Sequence, residues 1–142
     1  MIGIVLAAHG PLPQALLDSC DMVLGSLPQV STVSLMPGDS LEGLVDRLRD
    51  AAQSVDSGQG VLILLDMFGG TPANATTLLS QQRDDLRAVT GASLPMLLET
   101  FLSRQSTDDL AALTATAVRA GKDSVVDVVE AFREFRRDQS HV

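Results

Sequence analysis

The 142-residue chain has a single cysteine, Cys20, so it can close no internal disulfide and a reducing compartment is expected. It is short of positive charge: Lys+Arg number 10 against Asp+Glu 18, and the net charge of −8 argues against nucleic acid or an anionic membrane as the main partner. It also lacks long apolar runs. Those at Ile2 to Ala8 and Val61 to Leu65 are too short to span a bilayer, and no basic segment precedes the first as in a signal peptide, so a cytoplasmic protein is expected. A Walker lysine motif is missing, which speaks against nucleotide hydrolysis of the P-loop kind.

What is present suits one domain, residues 1–142, able to bury about 70% of its unfolded surface. The opening stretch Ile2-Gly3-Ile4-Val5-Leu6-Ala7-Ala8 is apolar without alternation, the pattern of a parallel strand covered on both faces, and it stops at His9-Gly10. A helix follows from about Pro11 to Leu24, with Gly25 as its stop. Leu16, Cys20, Val23 and Leu27 share one face of it, which makes Cys20 a core residue. Val30 to Leu35 reads as a more exposed strand closed by Pro37-Gly38, and Asp39 with Glu42 forms a capping-box pattern for a helix through about Val55. Val61 to Leu65 repeats the opening pattern and ends in Asp66. Met67-Phe68-Gly69-Gly70-Thr71-Pro72 then turns into a third helix, with Thr71 suited to the N-cap and Pro72 to the first helical position. Leu86 to Thr90 is a fourth strand. Helices are expected from Ser93-Leu94-Pro95 to about Ser103, and from a Ser106 or Thr107 cap through Ala120 with Gly121 as stop.

Strands alternating with helices predict an open, doubly wound α/β fold with a mainly parallel sheet. In the common order 2-1-3-4, strands 1 and 3 are neighbours and the crevice between their carboxyl ends is the usual ligand site. That order places His9 and Asp66 across one crevice, beside the glycine-rich turn. Each signal is weak alone: a histidine can simply end a strand, and Gly69-Gly70 can simply be a tight turn. Together they suggest a carboxylate fixing one ring nitrogen while the other, a nucleophile, faces backbone donors suited to phosphate. With no metal-ligand cluster and no activated serine nearby, covalent phosphoryl transfer through phosphohistidine is the expected chemistry.

Ala8-His9-Gly10, Pro37-Gly38, Leu65-Asp66-Met67-Phe68-Gly69-Gly70-Thr71-Pro72-Ala73-Asn74 and Leu94-Pro95-Met96-Leu97 resemble, in matching order over roughly residues 1–122, the mannose-family IIA component of the bacterial sugar phosphotransferase system. The resemblance implies a phosphoryl carrier that takes phosphate from the phosphocarrier HPr and passes it to a IIB component. His9 would be the phosphorylated residue and Asp66 its partner, with Gly69, Gly70 and Thr71 around the phosphoryl group. It implies a homodimer using no metal, nucleotide or other cofactor, and meeting the membrane permease only indirectly. IIB and permease would then be separate polypeptides. Related readings are a regulatory phosphohistidine module, the phosphocarrier subunit of a dihydroxyacetone kinase and, without phosphorylation, a small-molecule binder of flavodoxin type.

Phe68 stands where some relatives have tryptophan, and Leu12, Met67 and Phe68 would either form a docking surface or pack the turn on the sheet. In the family a terminal strand, antiparallel to the sheet, can be exchanged across the dimer, and Ser124 to Val129 has the β-branched content for it. Val125, Val128, Val129, Phe132 and Phe135 instead recur at helical spacing, so the segment is divided between strand and helix. Residues 133–142 read as a charged tail that frays, with His141 incidental to the site or a partner contact.

Overall fold

Alternation between the two faces of the strands builds the core. In the computed structural model, which describes residues 1–140, strand β1 (Gly3–His9) directs Val5 and Ala7 to one side and Ile4 and Leu6 to the other. Strand β3 (Val61–Leu65) does the same with Val61, Ile63 and Leu65 against Leu62 and Leu64. Both strands are covered on both faces, which explains why neither shows polar alternation in sequence. With β2 (Val30–Leu35) and β4 (Leu86–Val89) at the edges, the sheet has the order 2-1-3-4 and every pairing is parallel.

Two helical layers cover it. Helices α2 (Leu41–Val55) and α3 (Thr71–Ser80) bring Leu44, Leu48, Ala52, Ala75 and Leu79 to the first face. The second face is covered by α1 (Leu12–Leu24), α4 (Leu94–Ser103) and α5 (Leu110–Asp123), through Cys20, Leu97, Phe101, Leu113 and Ala117. Each fully buried leucine or isoleucine here contributes about 1.5–3 kcal/mol. At Gly3 a Cβ would meet the carbonyl oxygen of Val55 at 2.5 Å, so β1 can start this close to the end of α2 only without a side chain.

Several expected boundaries are corrected. The cap of α2 is Ser40, whose hydroxyl accepts from the Gly43 N–H at 3.0 Å, while Asp39 turns back to accept from Met36. Gly70 caps α3, so Thr71 is its first helical residue. Asp109 caps α5, which runs through Gly121 to Asp123; that glycine is a packing position, where a Cβ would meet Cε of Met96. On α1, Cys20 is buried as expected but Val23 is exposed; Leu17 and Leu24 join Leu16 in packing half-buried against the core, as does Leu27 from beyond the helix end.

The divided C-terminal segment forms no strand: residues 124–127 are a turn and irregular chain ending in the Asp127 cap, and helix α6 (Val128–Gln139) starts only at Val128. Asp127 caps it, and a Glu130–Arg137 ion pair at 2.7 Å lies along it, so most of the segment expected to fray is ordered helix. None of its residues is buried: Val128, Val129, Phe132 and Phe135 form an exposed apolar stripe. His141 lies outside the described residues.

Candidate functional site

The site lies at the carboxyl edge of the sheet. Gly10, with φ +60°, turns the chain sharply after β1, and its N–H donates to the Leu35 carbonyl at 2.9 Å, tying this turn to the end of β2. His9 is left half-exposed above the edge. Asp66 follows β3 on the neighbouring strand, and its Oδ2 lies 2.7 Å from Nδ1 of His9 while also accepting the His9 main-chain N–H at 3.1 Å. One carboxylate oxygen thus fixes both the backbone and the ring.

The peptide that carries Asp66 is held in turn. The Gly91 and Ala92 N–H groups, in the loop after β4, donate to the Asp66 and Leu65 carbonyls at 3.2 and 2.9 Å. Burial of the Asp66 carboxyl opposes its charge, but the bonds and positive charge supplied by His9 outweigh that cost and lower its pKa from the ordinary value near 3.8. An ionised Asp66 favours the tautomer with hydrogen on Nδ1, leaving the lone pair on Nε2. Nε2 has no hydrogen-bond partner among the described residues.

The glycine-rich turn completes the surroundings. Gly69, with φ +84°, needs the left-handed region that glycine occupies freely, and Gly70 lies against the imidazole, where a Cβ would sit 3.5 Å from Cε1 of His9. Thr71 and Pro72 open α3 directly behind it. Proline costs nothing at this position, and the remaining first-turn N–H groups with the helix dipole favour an anion. Thr71 and His9 line one cleft of about 410 Å³, with Gly10, Leu35, Met36, Pro37 and Asp39. Gly69 and Gly70 shape the turn without lining that cleft.

All five sequence-derived site residues therefore come to one edge. Asp39, read from the sequence as a helix cap, lines the cleft instead; the signal available was Pro37-Gly38, which places this turn at the same end of the sheet as His9. Leu12, Met67 and Phe68 do not fasten the turn to the sheet: all three are exposed, Phe68 to 86%. Among the described residues no cluster of three or more His, Cys, Asp or Glu is arranged to hold a metal, and no helix is long and apolar enough to cross a membrane.

Comparison with known proteins gives the family and the fold. The mannose-specific EIIAB component of the phosphotransferase system (PTS) from Escherichia coli K12 is 32% identical over 124 residues, 87% of this chain and 38% of that protein. The chain thus spans well under half the length of that relative. The PTS fructose-specific EIIA component of Bacillus subtilis is 29% identical and is matched nearly end to end, over 98% of this chain and 99% of the relative. Among solved structures, the PTS component EIIA from Streptococcus agalactiae superposes with a TM-score of 0.84 at 27% identity, covering 92% of this chain and 99% of that one. The mannose/sorbose-specific IIA subunit from Enterococcus faecalis gives 0.80 at 27% identity, over 88% and 92%. The family model described as PTS system fructose IIA component matches residues 3–118, and the chain belongs to that family.

Proposed function

We propose that the chain is a cytoplasmic phosphoryl carrier of sugar uptake, in which Nε2 of His9 accepts the phosphoryl group of phospho-HPr and hands it to a IIB component. The observation that carries this reading is the 2.7 Å contact of Nδ1 with Asp66, which leaves Nε2 free on a histidine that lines one cleft with Thr71 at the start of α3. In the forward step the Nε2 lone pair forms the new N–P bond as the donor's N–P bond breaks, and the donor nitrogen keeps the bonding electrons. The Nδ1 proton stays in its bond to Asp66, whose charge offsets the positive charge that builds on the ring. Thr71, Gly70 and the first turn of α3 supply donors and dipole to the phosphoryl oxygens. Transfer to IIB is the same displacement with the acceptor's nucleophile attacking phosphorus and Nε2 leaving.

The carrier needs no metal, nucleotide or other cofactor, since positioning and charge stabilisation are all this displacement asks of the protein. It works as a single domain, residues 1–142, in a homodimer, and meets the membrane permease only through IIB. The test follows label from phosphoenolpyruvate through enzyme I and HPr. Acid-labile, alkali-stable label is expected on the wild type and none on His9→Ala; no label on the wild type beside phosphorylated HPr would overturn the reading.

A further inference from the structure

We propose that the Asp39–Arg47 ion pair tunes how firmly His9 holds its phosphoryl group, with the Asp39 carboxylate weakening the hold and the Arg47 guanidinium limiting that effect. This rests on His9 being the phosphoryl acceptor. Strands β2 and β3 flank β1, so the walls from the β2 end and from α3 stand on either side of His9. They differ in sign. The α3 side offers Thr71 and the positive end of a helix dipole, whereas the β2 side offers Met36, Pro37 and the carboxylate of Asp39.

That carboxylate is held in place. Its Oδ2 accepts the Met36 N–H at 2.8 Å and Nη2 of Arg47 at 2.7 Å, and Nη1 of Arg47 donates to the Ser34 carbonyl at 2.9 Å. The pair thus fixes the Met36-Pro37-Gly38 turn and at the same time sets the charge of one cleft wall. Neither job needs an aspartate for the helix: Ser40 caps α2. A phosphoryl group on Nε2 carries up to two negative charges, so an anionic wall raises the free energy of the loaded state and makes the group easier to pass on. A carrier has to release what it accepts, and one lined only by donors would bind phosphate too tightly to do so.

The experiment loads His9 chemically with phosphoramidate, without HPr, and follows the phosphohistidine lifetime by 31P NMR in the wild type, Asp39→Asn and Arg47→Gln. Asparagine keeps an oxygen for the Met36 N–H but removes the charge. Its phosphohistidine is expected to last about three times longer, and that of Arg47→Gln to be shorter by a similar factor. Equilibration with phospho-HPr is expected to shift in the same two directions. Opposite signs separate a charge effect from a damaged turn, which would push both variants the same way. Lifetimes that are unchanged, or that shift together, overturn the tuning pair while the carrier reading stands. Absence of phosphohistidine on the wild type in the equilibration with phospho-HPr overturns both.

Discussion

Oδ2 of Asp66 receives two donors from one residue, the main-chain N–H and the ring Nδ1 of His9, so its charge and its geometry are tied together. Asp66→Asn separates them. The amide can still accept a bond, but it no longer compensates a positive ring, and its other end can donate to Nδ1 and drive the proton to Nε2, where it blocks attack. Phosphoryl transfer is expected to fall by about 10- to 100-fold with the far-UV spectrum unchanged; wild-type transfer rates would dismiss this role. A stability signature accompanies it. Because folding lowers the Asp66 pKa, its contribution is fully present above the unfolded value near 3.8 and is lost as pH falls through the lower folded one. Thermal unfolding of Asp66→Asn should therefore lose part of the acid sensitivity that the wild type shows below about pH 4.

At the level of elements, what could be read from the sequence was whatever is decided locally. The strands β1 and β3 show as unbroken apolar runs because both faces are buried, and His9 and Asp66 show as the first ionisable groups after them. Helix caps were read less well because candidates compete. Asp39 and Ser40 are both good caps, and the choice falls to Ser40 because Asp39 is taken by Met36 and Arg47. Gly121 looks like a stop but answers a tertiary need, the approach of α4 through Met96. Arg104 was invisible: it is buried and gives its guanidinium to the carbonyls of Ile2, Pro28 and Gln29, where β1 and β2 begin, and burial pushes its pKa down to about 10. Nothing in the local pattern marks that arginine as a clamp.

Helix α6 is the reverse case, an element whose local period from Val128 onward was right although none of its residues is buried. A helix of this length is marginal in water by itself, and here its order comes from the Asp127 cap, the Glu130–Arg137 pair and Arg136 over Phe132 at 5.9 Å. Since none of its residues is buried, ending the chain after Asp127 is expected to leave the melting temperature within about 2 °C of the full chain, as each kcal/mol lost would cost about 2–8 °C. Calorimetry on the two forms checks this, and a fall of 5 °C or more would mean that α6 carries stability the fold does not account for.

For the whole molecule, the parallel sheet gathers exposed apolar side chains around the imidazole of His9. All four strands point their carboxyl ends the same way, so the start of α1, the end of β2 and the turn after β3 deliver Leu12, Met36, Met67 and Phe68 to the one edge that holds His9. Any protein that brings a phosphoryl group to Nε2 must cover that rim, and a contact that forms and dissolves at each transfer draws its energy from a few large apolar groups. Phe68 is the largest and, at 86% exposure, contributes almost nothing to the core. Phe68→Ala should therefore raise the KM for phospho-HPr about fivefold or more, close to the loss of 1 kcal/mol or more expected of an anchoring residue, with kcat and melting temperature little changed. Steady-state transfer at varied HPr concentration separates the outcomes. A fall in kcat at constant KM would place Phe68 at the chemical step through the Gly69-Gly70 turn that follows it, and a fall in melting temperature would return it to the packing of the turn.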